Sequence, residues 1–462
     1  MDTKKLRQKI LDLAIHGKLV PQDPNDEPAS VLLERIKAEK ERLVKEGKIK
    51  RSKKSAKTSD TPHYGNVLPD GWRLSTLGEV FTLQAGKNIT AKDIKDIATE
   101  LHPYKCYGGN GVRGFVASYN REGDFPIIGR QGALCGNINI AKGKFYATEH
   151  AVVVERYCDV DLMWTYYTLT ALNLNQYATA TAQPGLSVAV INDVCIPIPP
   201  QKEQERISKE MERWFAFIDQ IEQSKADLQT AIKQAKSKIL DLAIHGKLIP
   251  QDPNDEPAIE LLKRINPDFT PCDNGHYAQL PDGWCAVALK DLCENINGLW
   301  KGKKEPFVNV GVIRNANFTK DFKLDYSNIE YIDVEQRTFA KRHLENGDLI
   351  VEKSGGSDNN PVGRTILYEG KSGVFSFSNF TMALRTRNSD IVLSKFLYYY
   401  ILAKYQKGDM RLMQTQTTGL RNLILDKFLS MPIHLPPLSE QKRIIDRIET
   451  IFTSLDMIMG SL

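Results

Sequence analysis

The sequence predicts a mixed α/β protein: two globular domains joined by a pair of long antiparallel coiled-coil-like helices, pseudo-two-fold and circularly permuted. Three internal repeats predict it. The segment Ile10 to Ala29 (ILDLAIHGKLVPQDPNDEPA) recurs at Ile239 to Ala258, differing only at Val20 and Ile249. The pentapeptide LPDGW stands at Leu68 to Trp72 and again at Leu280 to Trp284. A third pair matches PPQKEQERI, Pro199 to Ile207, with PPLSEQKRI, Pro436 to Ile444. Each LPDGW follows a polar stretch and marks a domain entrance, and each Pro-Pro motif opens a helical pattern and marks an exit.

In chain order this gives an amino-terminal repeat helix and strap over 1–36, a basic linker over 37–67 and a first domain over 68–198. A central helical region over 199–265 follows, then a linker over 266–279, a second domain over 280–435 and a final helix over 436–462. The first and last helices together reproduce the central one, so the chain ends are expected near each other. A chain of 462 residues also exceeds what one hydrophobic core usually supports.

The helices follow from periodicity. Ile207, Met211, Trp214, Ile218, Ile221, Lys225, Leu228, Ile232, Ala235, Ile239 and Leu242 step alternately by four and three, a seam with one polar member. Ile444, Ile448, Ile451, Leu455, Ile458 and Leu462 continue the pattern in the last helix, and Leu6, Ile10 and Leu13 in the first. A seam this narrow suits a partner helix better than a broad core. His16-Gly17 and His245-Gly246 close the repeated helices, glycine at C′ and imidazole at the negative dipole end. The Pro-Gln-Asp-Pro-Asn-Asp-Glu-Pro segment that follows holds too many prolines for helix or central strand, and reads as an extended turn or a docking strap. Within the domains, Ala151 to Val154 and Leu349 to Val351 read as strands, and Leu162 to Leu172 and Val392 to Ala403 as helices.

Composition bounds the chemistry. Met1 leads into Asp2-Thr3-Lys4-Lys5 rather than an apolar segment, and no apolar run approaches the roughly 18–20 residues of a membrane span, so a cytoplasmic protein without membrane contact is expected. The seven cysteines form no CxxC pair and lack histidines at zinc spacing, which supports no metal site or disulfide framework. Residues 37–57 hold ten basic side chains against three acidic ones, enough to account for the net charge of +5. That run either touches phosphates or is a solvated connector. No GxxxxGK[ST] loop is present. Gly109 to Gly114 spells GxGxxG but precedes the strand-like Phe115 to Tyr119, not the helix of a dinucleotide fold. Asn359-Asn360-Pro361-Val362 falls short of an amino-methyltransferase motif. No catalytic residue and no cofactor is expected.

Both domains carry polar loops whose side chains suit base edges or phosphates, arginine matching guanine and asparagine or glutamine matching adenine. The candidates in the first domain are Lys87, Arg113, Arg130, Gln131, Asn137, Asn139 and Gln183. In the second they are Lys301, Lys303, Arg314, Lys353, Ser354, Asn359, Asn360, Arg364 and Arg421.

The LPDGW entrances, the domain ends QPGLSVAVINDVCIPIPPQKEQERI and TTGLRNLILDKFLSMPIHLPPLSEQKRI, and the ILDLAIHGKLVPQDP helices together resemble the specificity subunit of Type I restriction-modification systems, over nearly the whole chain. The resemblance implies two target recognition domains, each reading one half of a bipartite site in double-stranded DNA. It also implies helices that fix their distance and bind two methylation subunits, with restriction subunits joining afterwards. A coiled-coil adaptor without a DNA role is the other reading, and missing motifs oppose a free-standing methyltransferase or nuclease.

Overall fold

The computed structural model describes residues 2–49, 68–132, 134–179, 184–272, 280–299, 304–357, 360–415 and 420–462. The chain divides into two compact units, Met1–Ser224 and Lys225–Leu462.

In the first unit, helix α1 (Thr3–Ile15) starts on Asp2, whose carboxylate accepts from Lys5 N at 3.0 Å, and ends at His16, whose Nδ1 lies 2.7 Å from the Asp12 carbonyl. Gly17 then takes φ +63°, and a Cβ there would stand 2.4 Å from Pro69 Cγ and 3.1 Å from the Trp72 ring. The expected cap is thus also a point of close approach to the domain entrance. Gly17→Ala should cost roughly 1–3 kcal/mol for the left-handed backbone alone, plus the overlap with Pro69. It would be read as a lowered thermal midpoint in calorimetry.

The strap leads into α2 (Ala29–Lys45), which buries Ala29, Leu32 and Ile36. Helix persists to Lys45, so the basic run expected to start a linker at residue 37 begins inside a helix. The reason is local: AEKERLVK is made of good helix formers. Lys40 also reaches the carbonyls of Gly78 (2.7 Å), Glu79 (3.2 Å) and Phe81 (2.8 Å). Residues 50–57 of the basic run lie outside the described residues.

Entrance and exit close on each other through β1 (Arg73–Thr76), antiparallel to β10 (Cys195–Ile198). Between them come α3 (Leu77–Val80), β2 (Thr82–Ala85), β3 (Tyr104–Gly108), β4 (Gly111–Val116), β5 (Arg121–Glu122), β6 (Phe125–Gly129), β7 (Ile138–Ala141), β8 (Lys144–Ala147), β9 (Ala151–Glu155), α4 (Leu162–Ala171) and α5 (Val188–Asn192). One sheet has the order β2-β9-β6-β7, all antiparallel, and the other β4-β3-β8-β5, with β3 and β8 parallel. Ala151 to Val154 of β9 are wholly buried, which is why that stretch is a continuous apolar run. The GxGxxG match is the β3–β4 turn, with Gly111 at φ +92°.

Helix α6 (Gln201–Ile244) spans 44 residues and contributes to both units. In the first, α1 runs antiparallel to it: Arg7 pairs with Asp219 and, at 3.2 Å, with Glu222, while Gln22 meets Glu203.

The second unit repeats the plan. It contains α7 (Ala258–Ile265), β11 (Cys285–Ala288), α8 (Leu289–Leu292), β12 (Cys293–Asn297), β13 (Phe307–Ile313), β14 (Glu330–Glu335), α9 (Gln336–Arg342), β15 (Leu349–Glu352), β16 (Ser354–Gly356), β17 (Thr365–Leu367), β18 (Phe375–Phe377), β19 (Thr381–Thr386), α10 (Ser394–Lys407), β20 (Arg421–Asn422), α11 (Leu425–Leu429), β21 (Pro432–Leu435) and α12 (Leu438–Ser461). Strands β11 and β21 close the domain as β1 and β10 do. The sheet β12-β19-β15-β17 has the order and directions of β2-β9-β6-β7, and β14-β13-β18 those of β4-β3-β8, parallel pair included. Helix α12 lies antiparallel to the second half of α6, with Lys236 bonded to Asp456 and set over the Phe452 ring at 5.0 Å.

The heptad seam is only partly buried. Ile207, Met211, Ile218 and Ile232 are 0–3% exposed, but Trp214, Ile221 and Leu228 are 38–41% exposed. Ile207, Met211 and Ile218 share a core cluster with Ile10 of α1 and Trp164 of α4, so α6 presents there a face to a helix and a domain together.

The three sequence repeats meet at one place in each unit. In the first, Trp72 Nε1 donates to Glu203 Oε2 at 3.0 Å, and Gln22 Nε2 donates to Glu203 Oε1 at 3.2 Å and to the Gly17 carbonyl at 2.7 Å. Arg206 pairs with the buried Asp26 at 2.6 Å. In the second, Trp284 donates to Glu440 at 3.0 Å, Gln251 to Glu440 at 3.2 Å and to the Gly246 carbonyl at 2.8 Å, and Arg443 pairs with Asp255 at 2.5 Å. Burial pushes both glutamates above the usual carboxylate range, which the Trp and Gln donors oppose. This clasp ties repeat helix, entrance and exit, and the PQDPNDEP strap is one of its parts.

Candidate nucleic-acid interface

Backbone hydrogen bonds place the polar loops of the two domains at equivalent points. Arg130 follows β6; its N–H donates to the His150 carbonyl at 3.0 Å and its carbonyl accepts from Leu186 N at 2.8 Å. Lys353 follows β15; its N–H donates to the Phe380 carbonyl at 2.8 Å and its carbonyl accepts from Leu423 N at 2.8 Å. Gln131 and Ser354 come next, bridged to Gly185 and paired with Asn422 respectively. Gly129 N donates to the Asn137 carbonyl at 2.9 Å, as Glu352 N does to that of Arg364 at 2.8 Å. Arg130, Gln131 and Asn137 thus correspond to Lys353, Ser354 and Arg364, all at the same end of the same sheet.

Two glycines bring the neighbouring turn against that end. A Cβ on Gly86 would fall 2.0 Å from the Ala147 carbonyl oxygen, and one on Gly298 1.9 Å from that of Ser378. Lys87 N then bonds the Ala147 carbonyl at 2.9 Å, setting Lys87 beside the turn that carries His150. A Cβ on Gly129 would stand 1.8 Å from the Gly109 oxygen, so the β3–β4 turn abuts the Arg130 loop. Arg113 and Asn139 flank that turn: a Cβ on Gly108 would be 3.7 Å from Arg113 Cδ, and one on Gly111 3.0 Å from Asn139 Oδ1.

In the first domain Lys87, Arg113, Gln131 and Asn137 are exposed and Arg130 and Asn139 half-buried. Among the described residues Lys87, Arg113 and Arg130 form no ion pair, while Glu149 in the adjacent turn lies 3.1 Å from His150; basic side chains left unpaired in this way suit an anion such as a phosphate.

The second domain is more internally engaged. Lys353 Nζ donates to Asn297 Oδ1 at 3.1 Å, and burial lowers its ammonium below the usual lysine range, reinforced by Arg342. Ser354 Oγ bonds Asn422 Oδ1, and Asn315 Nδ2 donates to the Ser354 carbonyl at 2.7 Å. Arg314 pairs with Glu330, Arg421 donates to the Thr415 carbonyl at 3.3 Å, and Asn360 is exposed. Arg364 reaches Glu352 at 3.3 Å, the carbonyls of Phe318 (3.3 Å) and Asn315 (3.2 Å), and the Phe318 ring at 5.1 Å, so its guanidinium is held within the domain. Gln183, Lys301, Lys303 and Asn359 lie outside the described residues.

Sequence reading missed His150, Asn297, Asn315 and Asn422, which join these clusters from other turns and strands. The only available signal for Asn422 was its alignment with Gly185 when the two domain ends are counted back from their Pro-Pro motifs. Among the described residues no cluster of His, Cys, Asp or Glu suits a metal ion, and no helix is long and apolar enough to cross a membrane.

Comparison with known proteins agrees with this plan. The family profile described as the Type I restriction modification DNA specificity domain matches residues 69–230 and 281–460. The specificity subunit of the Type I restriction enzyme EcoEI of Escherichia coli is 27% identical over 99% of this chain and 90% of its own length. That of EcoprrI, also from Escherichia coli, is 42% identical over 32% of this chain and 36% of its own. In fold, the chain resembles a solved structure described as the structural basis of complex assembly and conformational transition of the type I R-M system. That match has a TM-score of 0.57 and 18% identity, and covers 86% of this chain and 93% of the other.

Proposed function

The chain belongs to the Type I restriction-modification specificity family, and on that premise we propose that it is a non-catalytic, cytoplasmic DNA-reading subunit whose two domains each recognise one half of a bipartite double-stranded target. Domain one spans 68–198 and domain two 280–435. The helical pair fixes their separation in a pseudo-two-fold arrangement and docks two methylation subunits, restriction subunits joining later. Methyl transfer and its cofactor belong to the partners.

The observation that carries this reading is the matched placement of Arg130, Gln131 and Asn137 with Lys353, Ser354 and Arg364. Two domains with little sequence in common hold basic and polar residues at one equivalent sheet end, as two readers of different half-sites need, with the Arg364 guanidinium turned to partners within its own domain. A coiled-coil adaptor has no use for such ends.

The test uses the chain purified with its methylation subunits. It should retard duplex DNA containing the target with strongly salt-dependent affinity and preference over scrambled duplex, and methylate that duplex. The chain alone should transfer no methyl groups. Absence of DNA binding by the complex, or methyl transfer by the lone chain, would overturn the reading.

A further inference from the structure

Phe380 stands out at the reading end of the second domain. The residue is 48% exposed, while its neighbours Ser378 (9%) and Thr381 (0%) are buried. The turn is rigidly held. Thr381 N and Oγ1 both donate to the Ser378 carbonyl, at 3.0 and 2.8 Å, and Ser378 N donates to the Ile313 carbonyl at 2.9 Å. The Phe380 carbonyl accepts from both Lys353 N (2.8 Å) and Ser354 N (3.1 Å). The backbone that carries this large, half-exposed apolar side chain is therefore held beside the backbones of Lys353 and Ser354.

The first domain builds the same turn. Thr148 N donates to the Tyr107 carbonyl and Ala151 N to the Thr148 carbonyl, both at 3.0 Å, and Arg130 N donates to the carbonyl of His150. His150 thus occupies the position of Phe380. Backbone scaffolding is shared and the side chain differs, as expected of a position that discriminates rather than one that supports the fold.

Resting on the function proposed above, we propose that Phe380 is a specificity-determining residue that recognises thymine in the second half-site through its C5-methyl group. A phenyl ring has no hydrogen bond to offer a base edge. The apolar feature that a base pair presents in the major groove is the thymine methyl, and phenylalanine is a side chain that contacts it. The polar share of the reading falls to Lys353, Ser354 and Asn422 around it. His150, with two ring nitrogens, gives the first domain no such methyl preference at the matching point.

The experiment uses the complex with its methylation subunits and duplexes carrying the mapped target, each thymine of the second half-site replaced in turn by uracil, which lacks only the methyl. The wild-type complex should bind about fourfold more weakly at one position, the worth of one buried methyl group. Phe380→Ala should bind thymine and uracil there equally, while Phe380→Leu keeps a difference. Both variants should retain discrimination at the first half-site, which shows that they are folded. Neutrality of every uracil substitution, persistence of the difference in Phe380→Ala, or a second half-site without thymine on either strand would overturn the proposal. Failure of the underlying function would look different, as no preference of the wild-type complex for the target over scrambled duplex.

Discussion

Trp72→Ala is expected to destabilise the first unit by about 3–5 kcal/mol, the range for truncating a large buried aromatic side chain. Trp72 is 2% exposed, lies against the Gly17 turn, and supplies one of the hydrogen bonds to the buried Glu203. Its removal leaves a void and an acceptor whose burial already opposes its charge. Gln22 alone then holds the carboxylate, so the repeat helix, the entrance and α6 lose their common anchor. At roughly 2–4 °C per kcal/mol for a unit of this size, the midpoint should fall by about 6–20 °C in calorimetry. Trp284→Ala should act likewise in the second unit, since Trp284 bonds Glu440 at 3.0 Å. Trp72→Phe keeps most of the volume and should cost less, about 1–3 kcal/mol for the unpaired acceptor. A loss below about 1 kcal/mol for Trp72→Ala would contradict the anchoring role of the clasp.

Arg130→Ala is the second large effect, and it falls on binding rather than stability. The backbone of Arg130 is fixed between His150 and Leu186, while its side chain takes part in no ion pair among the described residues. Truncation therefore removes little that holds the fold. If Arg130 reads a base edge, affinity for the target should drop by about 1–3 kcal/mol and discrimination should relax at one position of the first half-site. If it contacts phosphate instead, binding should weaken evenly across sequences and the salt dependence should lose about one charge. Competition binding across target variants at two salt concentrations separates these. Unchanged affinity would remove Arg130 from the interface. Lys353→Ala, at the equivalent point, should affect only the second half-site, with some loss of stability because Lys353 also bonds Asn297.

The repeats made the architecture legible. ILDLAIHGKL, LPDGW and the Pro-Pro motifs each bear residues of the clasp, and the His-Gly pairs end their helices with glycine at φ +63° in both copies. The likeness of the two domain interiors was not legible. Their strands are mostly two to six residues long, and the parallel pairs β3–β8 and β13–β18 join segments distant in sequence, so neither periodicity nor turn signals link them. The match of Arg130 with Lys353 shows only in what their backbones bond to. Single polar loops were readable as candidates, but a candidate such as Arg364 differs from Arg130 only through Glu352 and Phe318, which sequence spacing does not bring near. The seam residues Trp214, Ile221 and Leu228 are only partly covered, and a periodic pattern does not tell how wide a covering face will be.

The most direct measurement of the central claim is the methylated sequence itself. Residues 73–198 would be replaced by the corresponding segment of another specificity subunit, the clasp residues retained, and the methylated sites in DNA from cells expressing each complex mapped. The modular, two-reader account predicts that one half of the target changes and the other persists at the same spacing. Change in both halves, or in neither with methylation retained, would contradict it.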